Sequence, residues 1–86
     1  MTPEELRTIV LEELTRIAPE LDPAAIRPDA PLRDQVDLDS MDFLNFVVAL
    51  HDRLGVDIPE SDYGRLVSVT AIVGYLAARL SGQVAS

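Results

Sequence analysis

The sequence predicts an all-α fold, a small four-helix bundle of three main helices and one short helix, with a long loop between the first and second helices. Apolar side chains recur at spacings of three and four along three segments, and no segment alternates as a strand would. Four of the six prolines fall between positions 19 and 31, which excludes a long helix there. The 86 residues suffice for one core, so 1–86 is expected to be a single domain.

The first helix is predicted over Pro3 to Ala18. Thr2 is its expected N-cap, Pro3 takes the first helical position, and Glu5 completes a capping box. The apolar stripe of this helix consists of Leu6, Ile9, Val10, Leu14 and Ile17. Its polar side consists of Arg7, Glu12, Glu13 and Arg16.

The loop that follows, from Pro19 to Asp39, is expected to contain one helical turn near Pro23 to Ile26. The side chains predicted to hold the loop on the core are Leu21, Ile26, Leu32, Val36 and Leu38.

The second helix is predicted from Asp39 to Leu54, with Gly55 ending it, and it has two apolar faces. The core face consists of Phe43, Phe46, Val47, Leu50 and Leu54. The second stripe consists of Met41, Leu44 and Val48, and it is bordered by Asn45 and Asp52 and further round by Asp42. This stripe either packs under the long loop or is exposed as a docking surface, and we favour docking.

The last third of the chain predicts an extended stretch and two more helices. Val56 to Pro59 is extended, and Glu60 to Arg65 forms the short helix. Ser68 caps the final helix, and Gly82 lies just past its end. The apolar stripe of that helix consists of Val69, Ile72, Val73, Leu76 and Leu80. The chain is therefore expected to be ordered over about residues 3–81, with a short flexible C-terminal tail.

Composition narrows the class of protein. Fifteen acidic residues against seven arginines give a net charge of −8, which disfavours nucleic acid and favours basic protein partners. No apolar run is long enough to span a membrane, and the N-terminus lacks a secretory signal, so a cytoplasmic monomer is expected. The chain has no cysteine. Any thioester chemistry therefore needs a sulfur from outside the chain.

Ser40 is the candidate for a chemical role. It lies where loop becomes helix, in the run Asp39-Ser40-Met41-Asp42, and the free amides of a helix N-terminus favour a phosphate group. The alternative is that Asp39 and Ser40 are helix caps and nothing more. Further along the chain come Leu54-Gly55-Val56-Asp57-Ile58-Pro59, and then Ser68-Val69 ahead of an apolar helix.

With these three features at these positions, the sequence resembles the acyl carrier protein family over nearly its whole length, Leu6 to Leu80. The resemblance implies that Ser40 carries 4′-phosphopantetheine covalently, transferred from coenzyme A by a phosphopantetheinyl transferase. It also implies that the helix after the serine docks partner enzymes. The expected partner-binding residues are Asp39, Met41, Asp42, Leu44, Asn45, Val48 and Asp52.

The expected function is that of a free-standing, non-catalytic acyl carrier protein. It would hold an acyl-type intermediate as a thioester and present it to enzymes of lipid, polyketide or related biosynthesis that have basic docking surfaces. The alternatives are an aminoacyl or peptidyl carrier and an unmodified helical interaction module. No catalytic residue and no metal site is predicted.

The sequence departs from the family pattern in a few places. Met41 stands where leucine is usual, and Asp37 where many members have glycine. Asn45, His51 and Arg53 make the docking helix less acidic than in members from fatty-acid synthesis. His51, the single histidine, is expected on the surface or half-buried. Tyr63 and Tyr75 are expected at the edge of the core with solvated hydroxyls.

Overall fold

Three α-helices and three short 3₁₀ segments form the fold. The structure is a computed structural model, which describes the backbone of residues 1–85 and the side chains of residues 1–81. The helices are α1 (Pro3–Ile17), α2 (Ser40–Leu54) and α3 (Val69–Ala85). The 3₁₀ segments are Pro23–Ala25, Leu32–Asp34 and Glu60–Arg65. Within residues 1–85 there is no strand. The predicted all-α bundle with three main helices and one short helix is confirmed, and Glu60–Arg65 is the short one.

The N-terminus of α1 forms as its sequence predicts. The Thr2 hydroxyl accepts a hydrogen bond from the Glu5 amide at 3.2 Å, and the Glu5 carboxylate accepts one from the Thr2 amide at 2.8 Å. These two bonds satisfy amides that an α-helix leaves unpaired at its start. The bond from the Thr2 amide to the carboxylate also lowers the pKa of Glu5, because it favours the charged form of that group. The helix ends at Ile17, with Ala18 as its C-cap.

The core lies where α1 meets α2 and α3. Seven side chains with no exposed surface come from the predicted stripes of the three helices: Leu6, Val10, Leu14, Phe46, Leu50, Ile72 and Leu76. Val56, in the extended stretch after α2, is fully buried as well. One residue of α1 differs from its prediction, because Glu13 is 2% exposed instead of lying on the polar side. It follows Val10 by three residues and precedes Ile17 by four, which places it beside the apolar stripe. Spacing therefore brings this carboxylate into the α1–α2 contact.

The long loop between α1 and α2 is fixed to the rest of the bundle. The Leu32 amide donates to the Val67 carbonyl at 2.8 Å, and the Thr70 amide donates to the Pro28 carbonyl at 2.9 Å. Gln35 joins two parts of the loop. Its side-chain oxygen accepts a hydrogen bond from the Arg27 backbone amide, and its side-chain nitrogen donates one to the Arg27 carbonyl. All five predicted apolar contacts of the loop lie in or against the core: Leu21, Ile26, Leu32, Val36 and Leu38. The loop thus holds the start of α2 in a defined position.

The Glu60–Arg65 helix is held to α3 by a polar cluster that the sequence did not predict. The Tyr75 hydroxyl donates to the Asp62 carboxylate at 2.6 Å, and Arg79 donates to the same oxygen at 2.6 Å. Tyr75 is 7% exposed, so the expectation of a solvated hydroxyl is wrong for this residue. Burial raises the pKa of Tyr75, and the bond to Asp62 adds to that rise. A six-residue 3₁₀ helix is unstable alone, and this cluster supplies its anchor.

Replacing Asp62 with asparagine is expected to reduce stability most at neutral pH. The hydrogen bonds from Tyr75 and Arg79 lower the pKa of Asp62 below its ordinary value. A carboxylate with a lowered folded-state pKa stabilises the fold above about pH 4, and this contribution is lost as the pH falls through the folded-state pKa. The free energies of unfolding in urea should therefore differ between the two chains near pH 6, and the difference should shrink as the pH is lowered below about 4. A constant difference across that range would contradict the assignment.

The C-terminal end of α3 differs from its prediction. The helix continues to Ala85, whereas the sequence placed its end just before Gly82. Glycine lowers helix propensity by about 1 kcal/mol and does not by itself stop a helix whose backbone bonds continue. The expected flexible tail falls on this last turn and on Ser86, which lies outside the described residues.

Candidate functional site

Ser40 is the first residue of α2 and is exposed. The cap of the helix is Asp39, whose carboxylate accepts a hydrogen bond from the Asp42 amide at 2.8 Å. The sequence left Asp39 and Ser40 as possible caps, and the structure assigns that role to Asp39. Within the described part of the chain, no side chain or backbone group bonds to the Ser40 hydroxyl. The hydroxyl is therefore free to react.

The backbone around Ser40 suits a phosphate group. The Asp39 side chain engages the Asp42 amide, and the Phe43 amide donates to the Asp39 carbonyl at 3.0 Å. The amides of Ser40 and Met41 are left at the open end of the helix, where the helix dipole also favours negative charge. A phosphate esterified to Ser40 would lie next to these donors. The residues present thus fit a phosphodiester on this hydroxyl.

An exposed apolar surface begins one residue beyond Ser40. Met41 is 65% exposed, Leu44 41% and Val48 47%. These three residues, named here the α2 stripe, are not covered by the long loop, which packs against the core instead. The structure therefore removes the alternative that the stripe packs under the long loop.

The predicted partner-binding polar residues are distributed unevenly around the α2 stripe. Asp39 and Asn45 are exposed, and Asp42 is half-buried. Asp52 is exposed too, and it lines a surface groove between α1 and α2 together with Glu12 and Arg16. Two carboxylates therefore lie at the Ser40 end of the helix, and the third lies three turns further along at the side nearest α1.

Arg53 faces α1. One of its Nη atoms donates to Glu13 at 2.9 Å and the other donates to Glu12 at 2.6 Å. Arg16 approaches the other Glu13 carboxylate oxygen at 3.6 Å, and that buried oxygen accepts no hydrogen bond from the described residues. The sequence counted Arg53 among the residues that make the docking helix less acidic. The structure instead pairs its charge with the two glutamates of α1.

His51 closes the C-terminal end of α2. Its Nδ1 lies 2.9 Å from the Val56 carbonyl oxygen and 3.8 Å from the Asp57 carboxylate. A carbonyl oxygen can only accept, so Nδ1 carries the hydrogen. The ring thereby ties the helix end to the extended stretch beyond Gly55, which has the left-handed φ of 67° expected of a glycine cap. His51 is 49% exposed, in agreement with the surface position expected of it.

Three helices, a long loop fixed to the core and an exposed serine hydroxyl at the start of α2 are the features of a class of helical carrier domains. The family described as "Phosphopantetheine attachment site" matches residues 4–76. The acyl carrier protein of Campylobacter hominis is 33% identical over 73 residues, which cover 85% of this chain and 86% of that protein. The acyl carrier protein of Campylobacter concisus is 32% identical over 73 residues, covering 85% and 88%.

The fold agrees with a solved structure as well. The acyl carrier protein from Enterococcus faecalis superposes with a TM-score of 0.71 at 23% identity, over 92% of this chain and 99% of that chain. The chain belongs to the acyl carrier protein family. This membership implies a phosphopantetheine prosthetic group, and the family is non-catalytic. Its members interact with phosphopantetheinyl transferases and biosynthetic enzymes. No helix in the described part of this chain is both long and apolar enough to cross a membrane.

Proposed function

We propose that this chain carries an acyl-type intermediate on a 4′-phosphopantetheine arm attached covalently to Ser40 Oγ. The proposal rests on the position of Ser40 at the start of α2, within the region that matches the phosphopantetheine attachment family. The side chain is exposed, and its hydroxyl makes no hydrogen bond to the described residues. The arm supplies a terminal thiol that holds the acyl group as a thioester. The chain has no cysteine, so that thiol would be the only one present.

The residues around Ser40 have separate tasks in loading. Ser40 Oγ forms the new bond to the phosphorus of the arm, the nucleotide half of coenzyme A leaves, and the transferase takes the hydroxyl proton. The Ser40 and Met41 amides stabilise the phosphate that results. Asp39 holds the first turn of α2 in place through its bond to the Asp42 amide at 2.8 Å. No group of this chain needs to act as a base.

Docking is proposed for the face of α2 next to Ser40. The α2 stripe supplies apolar contact, and Asp39 and Asp42 attract basic groups of the transferase and of the loading and processing enzymes. Because each enzyme must release the chain after acting on it, we expect dissociation constants that are micromolar or weaker, at most about −8 kcal/mol of binding free energy. The proposal places the protein in the cytoplasm, where coenzyme A and the transferase act, as a monomer between encounters.

The proposal is tested by incubating the purified chain with coenzyme A, Mg²⁺ and a broad-specificity phosphopantetheinyl transferase. We expect the intact mass to rise by one arm and thiol titration to rise from zero to one per chain, because the unmodified chain contains no cysteine. An unchanged mass and no thiol with several transferases would overturn the proposal. That result would favour an unmodified interaction module instead.

A further inference from the structure

The groove between α1 and α2 contains a buried carboxylate oxygen that accepts no hydrogen bond. Glu13 lines this groove, and its side chain is 2% exposed. The Oε2 atom of Glu13 accepts a bond from Arg53 at 2.9 Å, whereas Oε1 has no hydrogen-bond partner among the described residues. A buried charged oxygen without a donor is costly, so a group that donated to Oε1 would gain free energy that an exposed carboxylate does not offer.

Arg16 approaches this oxygen without bonding to it. Its Nη1 atom lies 3.6 Å from Glu13 Oε1, which is longer than a charge-assisted hydrogen bond. The Arg16 side chain is 73% exposed, so it can move aside at little cost. The oxygen therefore attracts a cationic group, and Arg16 does not supply the bond.

The charges that line the groove do not cancel. Three carboxylates line it, those of Glu12, Glu13 and Asp52. Two guanidinium groups line it as well, those of Arg16 and Arg53. Three negative and two positive charges leave one negative charge unmatched in the groove. A single additional positive charge would therefore be attracted to it.

The position suits a lysine ammonium group. Because Arg53 holds one oxygen of Glu13, the other cannot take part in the paired bonds that a guanidinium group forms with a carboxylate. An ammonium group is a compact donor on a flexible apolar stem, and the half-buried Ala49 in the same groove offers that stem a contact. Among the described residues, no three His, Asp or Glu side chains are placed to hold a metal ion.

We propose that the α1–α2 groove is a second interaction site, which receives a lysine side chain of a partner protein. The lysine ammonium group displaces the Arg16 side chain and donates to Glu13 Oε1. This chain contains no lysine, so a second copy of it cannot be the partner. The inference goes beyond the proposed function and does not depend on attachment of the arm.

The groove is separate from the surface around Ser40. Asp52 follows Ser40 by twelve positions, which is about 18 Å along the axis of α2. Ala49 and Arg53 lie about 100° and 140° round the helix from Val48, so this side of the helix faces α1 and not the α2 stripe. A protein bound in the groove would leave Ser40 uncovered. The carrier could then be retained by one protein while another acts on its arm.

Titration of the unmodified native chain with Nα-acetyl-lysine methylamide, followed by NMR at about 100 mM NaCl, tests the site. The Ala49 and Asp52 amide signals should shift to saturation with a dissociation constant on the order of 10 mM. The Asp39 and Asp42 signals, from the other acidic part of α2, should shift much less. The neutral norleucine analogue of the probe should not shift Ala49, and the arginine analogue should bind at least about threefold more weakly.

Replacing Arg16 with alanine should strengthen binding of the lysine probe at least about threefold, because the change uncovers Glu13 Oε1 and removes a positive charge. Arg7→Ala is the matched control. It removes the same charge from α1, but Arg7 is exposed and lies nine residues earlier, on the opposite side of the helix. Its dissociation constant should stay within about 1.5-fold of the native value, since the distant charge is screened.

Two variants remove acceptors from the groove. Glu13→Gln should weaken binding at least about fivefold, because the remaining acceptor is uncharged. Its melting temperature shows whether the chain is folded at the temperature of the titration. Asp52→Asn changes an exposed side chain, so it should keep the native melting temperature and weaken binding about two- to threefold.

Three results would overturn the inference. Equal shifts at Ala49, Asp39 and Asp42 would leave only a general attraction to the net charge of −8. Equal strengthening by Arg16→Ala and Arg7→Ala would show that Glu13 Oε1 is not the acceptor. Tighter binding of the arginine analogue would contradict the assignment to lysine. None of these results bears on the loading of Ser40, so the proposed function is judged separately by intact mass.

Discussion

Replacing Ser40 with alanine is expected to abolish attachment of the arm while leaving the fold almost unchanged. The loss should be complete because the variant has no hydroxyl at the reacting position. Stability should change by less than about 0.5 kcal/mol, since Ser40 is exposed and alanine is a better helix former. The cap of α2 is provided by Asp39 and remains in place. Intact mass after incubation with the transferase measures the first effect, and urea unfolding followed by circular dichroism measures the second.

The Ser40→Ala chain should still bind the transferase. Its α2 stripe and its acids near the helix start are unchanged, so it should inhibit loading of the native chain competitively. Ser61→Ala is the matched control, because Ser61 is exposed on the Glu60–Arg65 helix and should leave loading at the native rate. An arm gained by the Ser40→Ala chain would contradict the assignment of the attachment residue.

Replacing Arg53 with methionine is expected to lower the melting temperature by roughly 5–10 °C. Glu13 is 2% exposed. Among the described side chains, only Arg53 donates a hydrogen bond to the Glu13 carboxylate, at 2.9 Å. Without Arg53 the buried carboxylate would retain only the Arg16 contact at 3.6 Å. An unpaired buried charge costs far more than a lost surface pair. Thermal unfolding by circular dichroism at neutral pH measures the effect.

Two further variants separate burial from charge pairing in general. Glu12→Gln removes the other partner of Arg53, but Glu12 is 53% exposed, so the melting temperature should change by less than about 3 °C. Glu13→Gln in the Arg53→Met chain should recover part of the loss, because a buried amide is less costly than a buried carboxylate. If Arg53→Met and Glu12→Gln lowered the melting temperature by equal amounts, the burial of Glu13 would not be the cause of the effect of Arg53→Met.

Patterns that are local in the sequence predicted most of the fold. The capping box at Thr2 and Glu5 forms as expected, and the core stripes of α1, α2 and α3 are buried. In each case the signal depends on residues within one or two turns of each other, where spacing determines which side chains share a face. The place of Ser40 at the start of α2 follows from its neighbours in the same way, but its role as the attachment residue was predicted from the resemblance of nearly the whole chain to the acyl carrier protein family.

Contacts between distant segments could not be read from spacing alone. Arg53 meets Glu13 across 40 positions of the chain, and Tyr75 meets Asp62 across 13. A helix pattern gives the direction of each side chain but not the neighbouring element that it faces. The sequence therefore assigned Arg53 to the docking face and left the Tyr75 hydroxyl in water. Both residues instead make bonds that hold one element to another.

The most direct test of the central claim is the position of the arm in the loaded native chain. Cleavage after arginine releases the peptide 34–53, in which Ser40 is the only residue with a hydroxyl group. After incubation with coenzyme A and the transferase, this peptide should gain the mass of one phosphopantetheine arm, and every other peptide should keep its original mass. An arm on any other peptide, or on none, would contradict the claim that Ser40 is the attachment site.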